Sequence, residues 1–149
     1  MLDEPFNGLD PLVREDLMDT LIEQCGDTTI LVSSHELAEI ETFVSHIGFM
    51  DSGRLLFQET LAELSGRLRA VRVTLQWPLP SADRLPREWL NVQTVGNVLS
   101  FVETRYSEDA FSSRLNGALA GIRELDVQPL DLRRTFTTLA RAAQAETSR

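Results

Sequence analysis

A turn near the start of the chain determines the order of the elements on either side of it. Residues 4–10 contain three breakers of regular structure, one Pro, one Asn and one Gly, after an apolar start that predicts the end of a strand. Asp10 before Pro11 is typical of a helix N-terminus, because the carboxylate caps free N–H groups and proline fits the first helical position. The sequence therefore predicts a strand, a turn and a helix in succession.

Apolar spacing indicates both this helix and the strand that follows it. Val13, Leu17 and Leu21 recur every four residues, which predicts an amphipathic helix to about residue 24, and Gly26 is placed to end it. Residues 28–32 are β-branched and apolar, as in a buried strand. Strand, helix and strand in this order are typical of an α/β fold.

Beyond the second strand, the pattern predicts a helix, a hairpin and a mixed second half. Ser33, with Glu36 three residues later, fits a capping box at the start of the next helix, and residues 47–58 predict a hairpin around a Gly-containing turn. We expect Trp77 and Trp89 to pack in the core or on a hairpin rather than to stack on bases. The later elements expected are a strand at 70–77, a hairpin at 90–103, a helix at 110–119, a strand at 122–127 and a helix at 132–143.

Charge divides the chain near residue 66. Residues 1–66 hold 14 acidic residues against two arginines, a net charge of −12, whereas residues 67–149 hold nine acids against 12 arginines, a net charge of +3. We therefore predict two domains with these bounds. An acidic first domain argues against nucleic acid as a partner, because duplex binding depends on cations that face phosphates. The single cysteine, Cys25, has no partner for an internal disulfide, which favours a reducing cytoplasmic setting.

Three short motifs occur in a defined order in the first domain. They are Leu2-Asp3-Glu4-Pro5, Asn7-Gly8-Leu9-Asp10-Pro11 and Ser33-Ser34-His35. In this order, with a predicted helix and strand before the third, they resemble the Walker B motif, the D-loop and the switch histidine of the ABC family of ATPases. The resemblance covers about residues 1–64, and the three motifs together are far more specific than any one of them.

The resemblance implies a role for four polar residues of these motifs. Asp3, at the carboxyl end of a strand, would bind Mg²⁺ through water, and Glu4 would orient or deprotonate the attacking water. His35 would reach the γ-phosphate of ATP. Asp10 resembles the D-loop aspartate, which in the family faces the partner subunit across an ATP-sandwich dimer, although an N-cap needs no further role. The implied cofactors are ATP and Mg²⁺, with Asp3 and Asp10 as cofactor-binding residues and Glu4 and His35 as catalytic residues.

The sequence contains no lysine. A P-loop closes with Gly-Lys-Ser or Gly-Lys-Thr, so the chain holds no Walker A motif. The resemblance accordingly begins at Walker B, and it implies that an upstream segment of a longer subunit supplies the phosphate cradle. We expect that the chain by itself neither binds ATP tightly nor hydrolyses it, and that its first domain has an uncovered apolar face.

The second domain resembles the C-terminal extension of the ATPases of ABC-2-type exporters. The resemblance rests on residues 127–136, in which Pro129 and Leu130 precede a helix that contains Phe136. The strand-rich pattern predicts a small accessory α+β domain, with Phe136 directed inward. We favour packing and dimer support without a ligand over a sensor role for this domain.

The residues and the resemblance together predict an α/β fold. Part of a P-loop (RecA-like, ABC) nucleotide-hydrolase domain at 1–66 would precede a small α+β domain at 67–149. The implied function, in the full-length subunit, is ATP hydrolysis coupled to export across a membrane. A second ATPase subunit in a homodimer and membrane-spanning permease subunits would be the partners, at the cytoplasmic face of the cell membrane. Two alternatives stay open: a non-catalytic dimerisation or regulatory fragment, and an ABC-class ATPase of DNA repair.

Overall fold

The computed structural model describes residues 1–51, 53–79 and 85–147. The described residues form eight strands and five helices, so the mixed helix and strand character expected of the chain is confirmed. They group into two compact units, Met1–Val44 and Ser45–Arg149. The division into domains at residue 66 rests on charge and motifs rather than on contacts, and it stays a prediction.

The first unit contains two short parallel strands and two helices. Its elements are β1 at Leu2–Asp3, α1 at Pro11–Cys25, β2 at Val32–Ser33 and α2 at Leu37–Ile40. In the β1–β2 pair, Leu2 lies opposite Val32 and Asp3 lies opposite Ser33. Because the two strands are parallel, the residues that follow their carboxyl ends reach the same edge of the pair.

Helix α1 begins and ends as the sequence predicts. The Oδ1 atom of Asp10 accepts hydrogen bonds from the backbone N–H groups of Leu12 and Val13, at 3.1 and 3.2 Å. Gly26 follows the last turn with a φ of +49°, a conformation that glycine adopts without strain. Both ends are therefore determined by residues close to them in sequence.

A small core anchors the turn between β1 and α1. Phe6, in that turn, is buried with Met18 of α1 and Ile40 of α2. The ring of Phe6 meets the ring of Phe43 edge-on, with centroids 5.5 Å apart. Aromatic contacts of this geometry stabilise beyond the area that they bury, so Phe6 holds the turn against the body of the first unit.

Two predictions for the segment before α2 are wrong. The strand expected over residues 28–32 is limited to β2, because its partner β1 is itself only two residues long. The capping box expected at Ser33 and Glu36 does not form: α2 begins after Glu36, whose side chain makes no capping hydrogen bond. Ser33 instead ends β2, and its hydroxyl bonds to Asp3 and to the backbone of Glu4.

The second unit begins with a hairpin and a capped helix. Its first elements are β3 at His46–Asp51, β4 at Arg54–Thr60 and α3 at Leu61–Arg67. β3 and β4 are antiparallel, which confirms the hairpin predicted over residues 47–58. At the start of α3, the Thr60 hydroxyl accepts from the N–H of Glu63 at 3.1 Å, and the Glu63 carboxylate accepts from the N–H of Thr60 at 3.0 Å.

A four-stranded antiparallel sheet forms the centre of the second unit. Its strand order is β6-β7-β5-β8. The remaining elements are β5 at Arg69–Leu75, β6 at Trp89–Val95, β7 at Val98–Glu103, α4 at Glu108–Ala118, β8 at Ile122–Pro129 and α5 at Leu132–Thr147. The strands and helices expected between residues 70 and 143 are all present.

One face of this sheet packs against α4 in the main core. Trp89 is buried and stacks on Phe101 with ring centroids 3.9 Å apart, as expected of a packing residue. Trp77 departs from that expectation, because the residue is 64% exposed. The other buried members of this core are Val71, Val73, Leu75, Leu99, Phe111, Leu115 and Leu119.

Aromatic contacts hold α5 within the second unit. The ring centroid of Phe136 lies 5.1 Å from that of Phe49 on β3 and 6.3 Å from that of Phe57 on β4. The inward direction predicted for Phe136 is confirmed. Neither α5 nor any other helix in the described ranges is long and apolar enough to cross a membrane.

Candidate functional site

Polar residues of the Walker B-like and switch-histidine-like motifs meet at the carboxyl ends of β1 and β2. Asp3 ends β1 and Glu4 follows it, while Ser33 ends β2 and His35 lies two residues later. The N–H of Glu4 donates to the backbone oxygen and to the hydroxyl oxygen of Ser33, at 3.1 and 3.0 Å. This edge therefore gathers three of the four predicted site residues: Asp3, Glu4 and His35.

The Glu4 carboxylate and the His35 ring are in direct contact. Nδ1 of His35 lies 2.8 Å from Oε2 of Glu4, and the side chains are 63% and 35% exposed respectively. An ionised carboxylate only accepts hydrogen bonds, so Nδ1 donates in this contact. Nε2 is then an acceptor in the neutral ring and a donor in the imidazolium, and it makes no hydrogen bond with any described residue.

Glu4 adopts a backbone conformation that is rare for residues other than glycine. Its φ is +47°, in the left-handed region, which costs about 1–3 kcal/mol for such a residue. This conformation ends β1 and begins the turn, in which the Glu4 carbonyl accepts from the N–H of Asn7 at 3.1 Å. Conformations of this kind concentrate at functional sites, where surrounding contacts hold them, and the two hydrogen bonds to Ser33 do so at Glu4.

Asp3 presents an oriented carboxylate at the same edge. Its Oδ1 accepts a hydrogen bond from the Ser33 hydroxyl, and the residue is exposed. Among the described residues, no three His, Cys, Asp or Glu side chains lie where they could share a metal ion. One carboxylate suits Mg²⁺, which keeps several waters and takes phosphate oxygens, better than it suits a metal held by a protein cage. The role of Asp3 as the residue that would hold Mg²⁺ stays a prediction.

A small polar cavity lies beside the Glu4–His35 contact. Its volume is about 50 Å³, and its lining includes Glu4, His35, Asn7, Ser34 and Arg14. A water molecule occupies about 30 Å³ in the liquid, so the cavity suits one or two waters and is far too small for a nucleotide. The arrangement brings a water-sized space next to a carboxylate that can accept a proton.

Asp10, the fourth predicted site residue, lies apart from this cluster. Its carboxylate caps α1 and does not line the cavity. The cap alone accounts for an aspartate at this position. A role for Asp10 toward a nucleotide or a partner subunit stays a prediction.

Sequence reasoning missed the roles of two residues at the site. Ser33 bridges Asp3 and Glu4, but this depends on the register of β1 with β2, which the sequence does not carry. Phe6 anchors the turn that presents Glu4. A large apolar residue within a turn that contains Pro and Gly is the signal that could have identified Phe6.

Comparison with known proteins gives an independent line of argument, although no family model matches the chain. The chain is 41% identical to the bacitracin transport ATP-binding protein BcrA of Enterococcus faecalis over 71 residues, which are 46% of this chain and 23% of that protein. It is 36% identical to the ABC transporter ATP-binding protein YtrB of Bacillus subtilis (strain 168) over 66 residues, 43% of this chain and 23% of YtrB. It is 31% identical to the thiamine import ATP-binding protein ThiQ of Jannaschia sp. (strain CCS1) over 65 residues, 42% of this chain and 28% of ThiQ.

These matches cover only part of each of the two proteins compared. The chain spans about a quarter of the length of the curated relatives that it matches, and less than half of its own residues take part. The matched proteins are ATP-binding subunits of ABC transporters, which confirms the resemblance inferred from the three motifs. Over the matched part of its length, this chain is similar to ATP-binding subunits of ABC transporters.

Proposed function

We propose that the chain supplies the Mg²⁺-binding and water-activating residues of an ATP-hydrolysis site in an ABC transporter. The observation that carries the proposal is the 2.8 Å contact between Glu4 and His35, next to Asp3. These residues follow the carboxyl ends of parallel strands, which is where α/β sheets bind ligands. The family relationship supplies the substrate of the proposed site, ATP.

Glu4 acts as the general base in the proposed reaction. A water molecule attacks the γ-phosphorus of ATP, its proton passes to the Glu4 carboxylate, and ADP leaves with the bridging oxygen. Phosphoryl transfer asks for little covalent chemistry from the protein, so positioning and charge supply most of the catalysis. The hydrogen bond from His35 and the backbone bonds to Ser33 position the Glu4 carboxylate for this step.

His35 contributes through its second ring nitrogen. While Nδ1 donates to Glu4, Nε2 donates to a phosphate oxygen only in the imidazolium form. In that form the positive charge of the ring would offset part of the charge on the γ-phosphate. Asp3 would hold Mg²⁺ at the same edge, with its carboxylate oriented by the Ser33 hydroxyl.

The proposed ATP-hydrolysis site also needs a phosphate cradle and partner subunits, which this sequence does not supply. Without lysine there is no Walker A motif, so another segment supplies the phosphate cradle, and the chain alone neither binds ATP tightly nor hydrolyses it. The subunit pairs with a second copy, toward which Asp10 faces, and with membrane-spanning permease subunits at the cytoplasmic side of the membrane. Export is proposed from the resemblance of residues 127–136 to exporter ATPases, whereas the relative ThiQ is named an import protein.

A chimeric subunit tests the role of Glu4. Residues 1–66 replace the corresponding segment of the Enterococcus faecalis relative, and Mg²⁺-dependent phosphate release is measured. We expect Glu4→Gln to lower the rate about 10²–10⁴-fold, because glutamine accepts no proton, while ATP affinity stays within about twofold. The control Glu23→Gln changes an exposed acid on α1 and leaves the rate unchanged. Unchanged turnover in the Glu4→Gln chimera would remove Glu4 from the base role.

The 149-residue chain tests the other part of the proposal. We expect no Mg²⁺-dependent phosphate release from the purified chain and no saturable ATP binding at micromolar concentrations, because the chain has no P-loop. Phosphate release and equilibrium dialysis with labelled ATP are the measurements. Metal-dependent turnover by the chain alone would contradict the proposal that another segment supplies the phosphate cradle. An inactive chimera that still dimerises would favour the non-catalytic alternative.

A further inference from the structure

We infer that the second unit binds a small solute carrying two or more anionic groups, in the groove between its four-stranded sheet and α5. The groove has a volume of about 380 Å³, within the usual size range of small-molecule sites. Arg72 of β5 and both Arg134 and Arg141 of α5 line it. Nothing in the proposed ATPase reaction uses this groove, and all of its lining residues belong to the second unit.

The groove lies on the sheet face that is turned away from the main core. The two β5 residues that flank Arg72 are buried in that core, so Arg72 projects from the opposite face. The strand register aligns Arg72 with Ser100 on β7 and with Asp126 on β8, and it aligns Ser100 with Gln93 on β6. One rung across all four strands is therefore polar, and each of its four residues lines the groove.

One face of α5 forms the opposite wall. Four residues of the helix line the groove, and successive turns contribute them at spacings of three or four residues, so they lie on one side of the helix. They are Arg134, Thr137, Thr138 and Arg141. Other contacts hold the helix, since Phe136 packs against the aromatic rings of the β3–β4 hairpin. Contacts of Phe136 thus position the backbone of the helix that carries the two arginines of α5.

A bulge in β6 ties the sheet to α5 at this groove. Asn91 has a φ of +51°, and the register of β6 with β7 shifts between Leu90 and Gln93. Nδ2 of Asn91 donates to Oγ1 of Thr138 at 3.0 Å. Bulges are frequent next to binding sites, because they redirect a side chain. Ordinary packing of a helix on a sheet buries apolar side chains between them. Here a polar hydrogen bond joins the two elements instead, so the groove between them stays open to water.

The lining of the groove has an excess of positive charge. The three arginines are exposed, and none of their guanidinium groups makes a hydrogen bond or ion pair with another described side chain. The acid in the lining is Asp126, which lies beside Arg72 on the neighbouring strand. Its Oδ1 already accepts a hydrogen bond from Nε2 of Gln128 at 2.8 Å. Guanidinium groups bind carboxylates and phosphates through paired donors, so arginines on two walls suit a solute with several anionic groups.

Citrate and inorganic phosphate are the probes that test this inference on the full chain. At low ionic strength we expect citrate to shift the backbone amide NMR signals of Gln93, Ser100 and the Arg134 to Arg141 turn, with acetate binding more weakly. The double variant Arg72→Gln, Arg134→Gln should weaken citrate binding at least about tenfold in calorimetry. The control Arg123→Gln changes an exposed arginine of β8 outside the groove and should stay within about twofold.

Three results would overturn the inference: no citrate or phosphate binding, shifts that map outside the groove, or an equal loss of affinity in Arg123→Gln. If the double variant fails to fold by circular dichroism, Arg141→Gln on the exposed helix surface carries the same test, with an expected loss of about fivefold. The groove lies in the second unit, so these outcomes are separate from those of the Glu4 experiments.

Discussion

Glu103 of the second unit is fully buried, and three donors surround its carboxylate. Oε2 accepts from Nε1 of Trp89 at 3.0 Å, and Oε1 accepts from the N–H of Arg105 at 2.7 Å. Nη2 of Arg114 lies 3.3 Å from Oε1. A buried charge is tolerated only when it is paired and hydrogen-bonded, so each single donor at this carboxylate stabilises the folded state.

Trp89→Phe tests this network at the residue scale. The substitution removes the Nε1 donor while an aromatic ring remains to stack on Phe101, so we expect the free energy of unfolding to fall by about 1–3 kcal/mol. Urea unfolding followed by circular dichroism gives the value. The control Trp77→Phe alters a largely exposed side chain and should cost less than about 0.5 kcal/mol. Equal losses in the two variants would contradict a stabilising Trp89–Glu103 hydrogen bond.

At the scale of elements, the cap of α3 couples helix formation to the ionisation of Glu63. The hydrogen bonds from the Thr60 hydroxyl and the Thr60 N–H favour the carboxylate, so the pKa of Glu63 lies below its ordinary value of 4.5. A folded-state pKa below the unfolded one means that the carboxylate stabilises α3 at pH values above 4.5. That stabilisation is lost as the pH falls through the lower, folded-state pKa.

An NMR titration of the Glu63 carboxyl carbon tests this coupling. We expect the pKa of Glu63 to lie below 4.5 in the wild-type chain and to rise toward 4.5 in Thr60→Ala, because the side-chain donor is the largest cause of the shift. Thr94→Ala, at an exposed position on β6, is the matched control and should leave the titration unchanged. A Glu63 pKa that does not respond to Thr60→Ala would show that the cap does not set it.

At the scale of the whole molecule, the first unit exposes a large amount of apolar surface. Both strands of the β1–β2 pair also have an edge without a described partner. Exposed apolar side chains and open strand edges favour association with other chains. Exposed apolar side chains are present in the described part of the first unit, whereas the single uncovered apolar face expected from the sequence stays a prediction. The side chains concerned are Met1, Leu12, Val13, Ile22 and Leu31, with exposures of 87, 73, 46, 57 and 61%.

This surface predicts self-association of the isolated chain. The double variant Leu12→Ser, Leu31→Ser should lower the weight-average mass at high protein concentration, because it removes two of the most exposed apolar side chains. Sedimentation equilibrium over a concentration series measures the effect. Val95→Ser removes an equally exposed but separate side chain of the second unit and should leave association unchanged. Association that responds only to Val95→Ser would place the contact surface in the second unit.

The sequence by itself determined the features that depend on near neighbours along the chain. Asp10, Pro11 and Gly26 bound α1 because caps and left-handed turns are made by residues within a few positions of a helix end. The residue types of the candidate site could also be predicted, because the motifs that contain Asp3, Glu4 and His35 are recognised from their order in the sequence alone.

Tertiary structure alone decided which groups these residues meet. Ser33 suits a helix cap in sequence terms, but strand pairing brings Asp3 and Glu4, some thirty residues away, to its hydroxyl. The groove beside Arg72 likewise depends on the register of four strands and on the position of α5. A hydroxyl or a guanidinium group bonds to whatever the fold brings within about 3 Å of it, and contacts between distant residues are set by strand register rather than by local propensity.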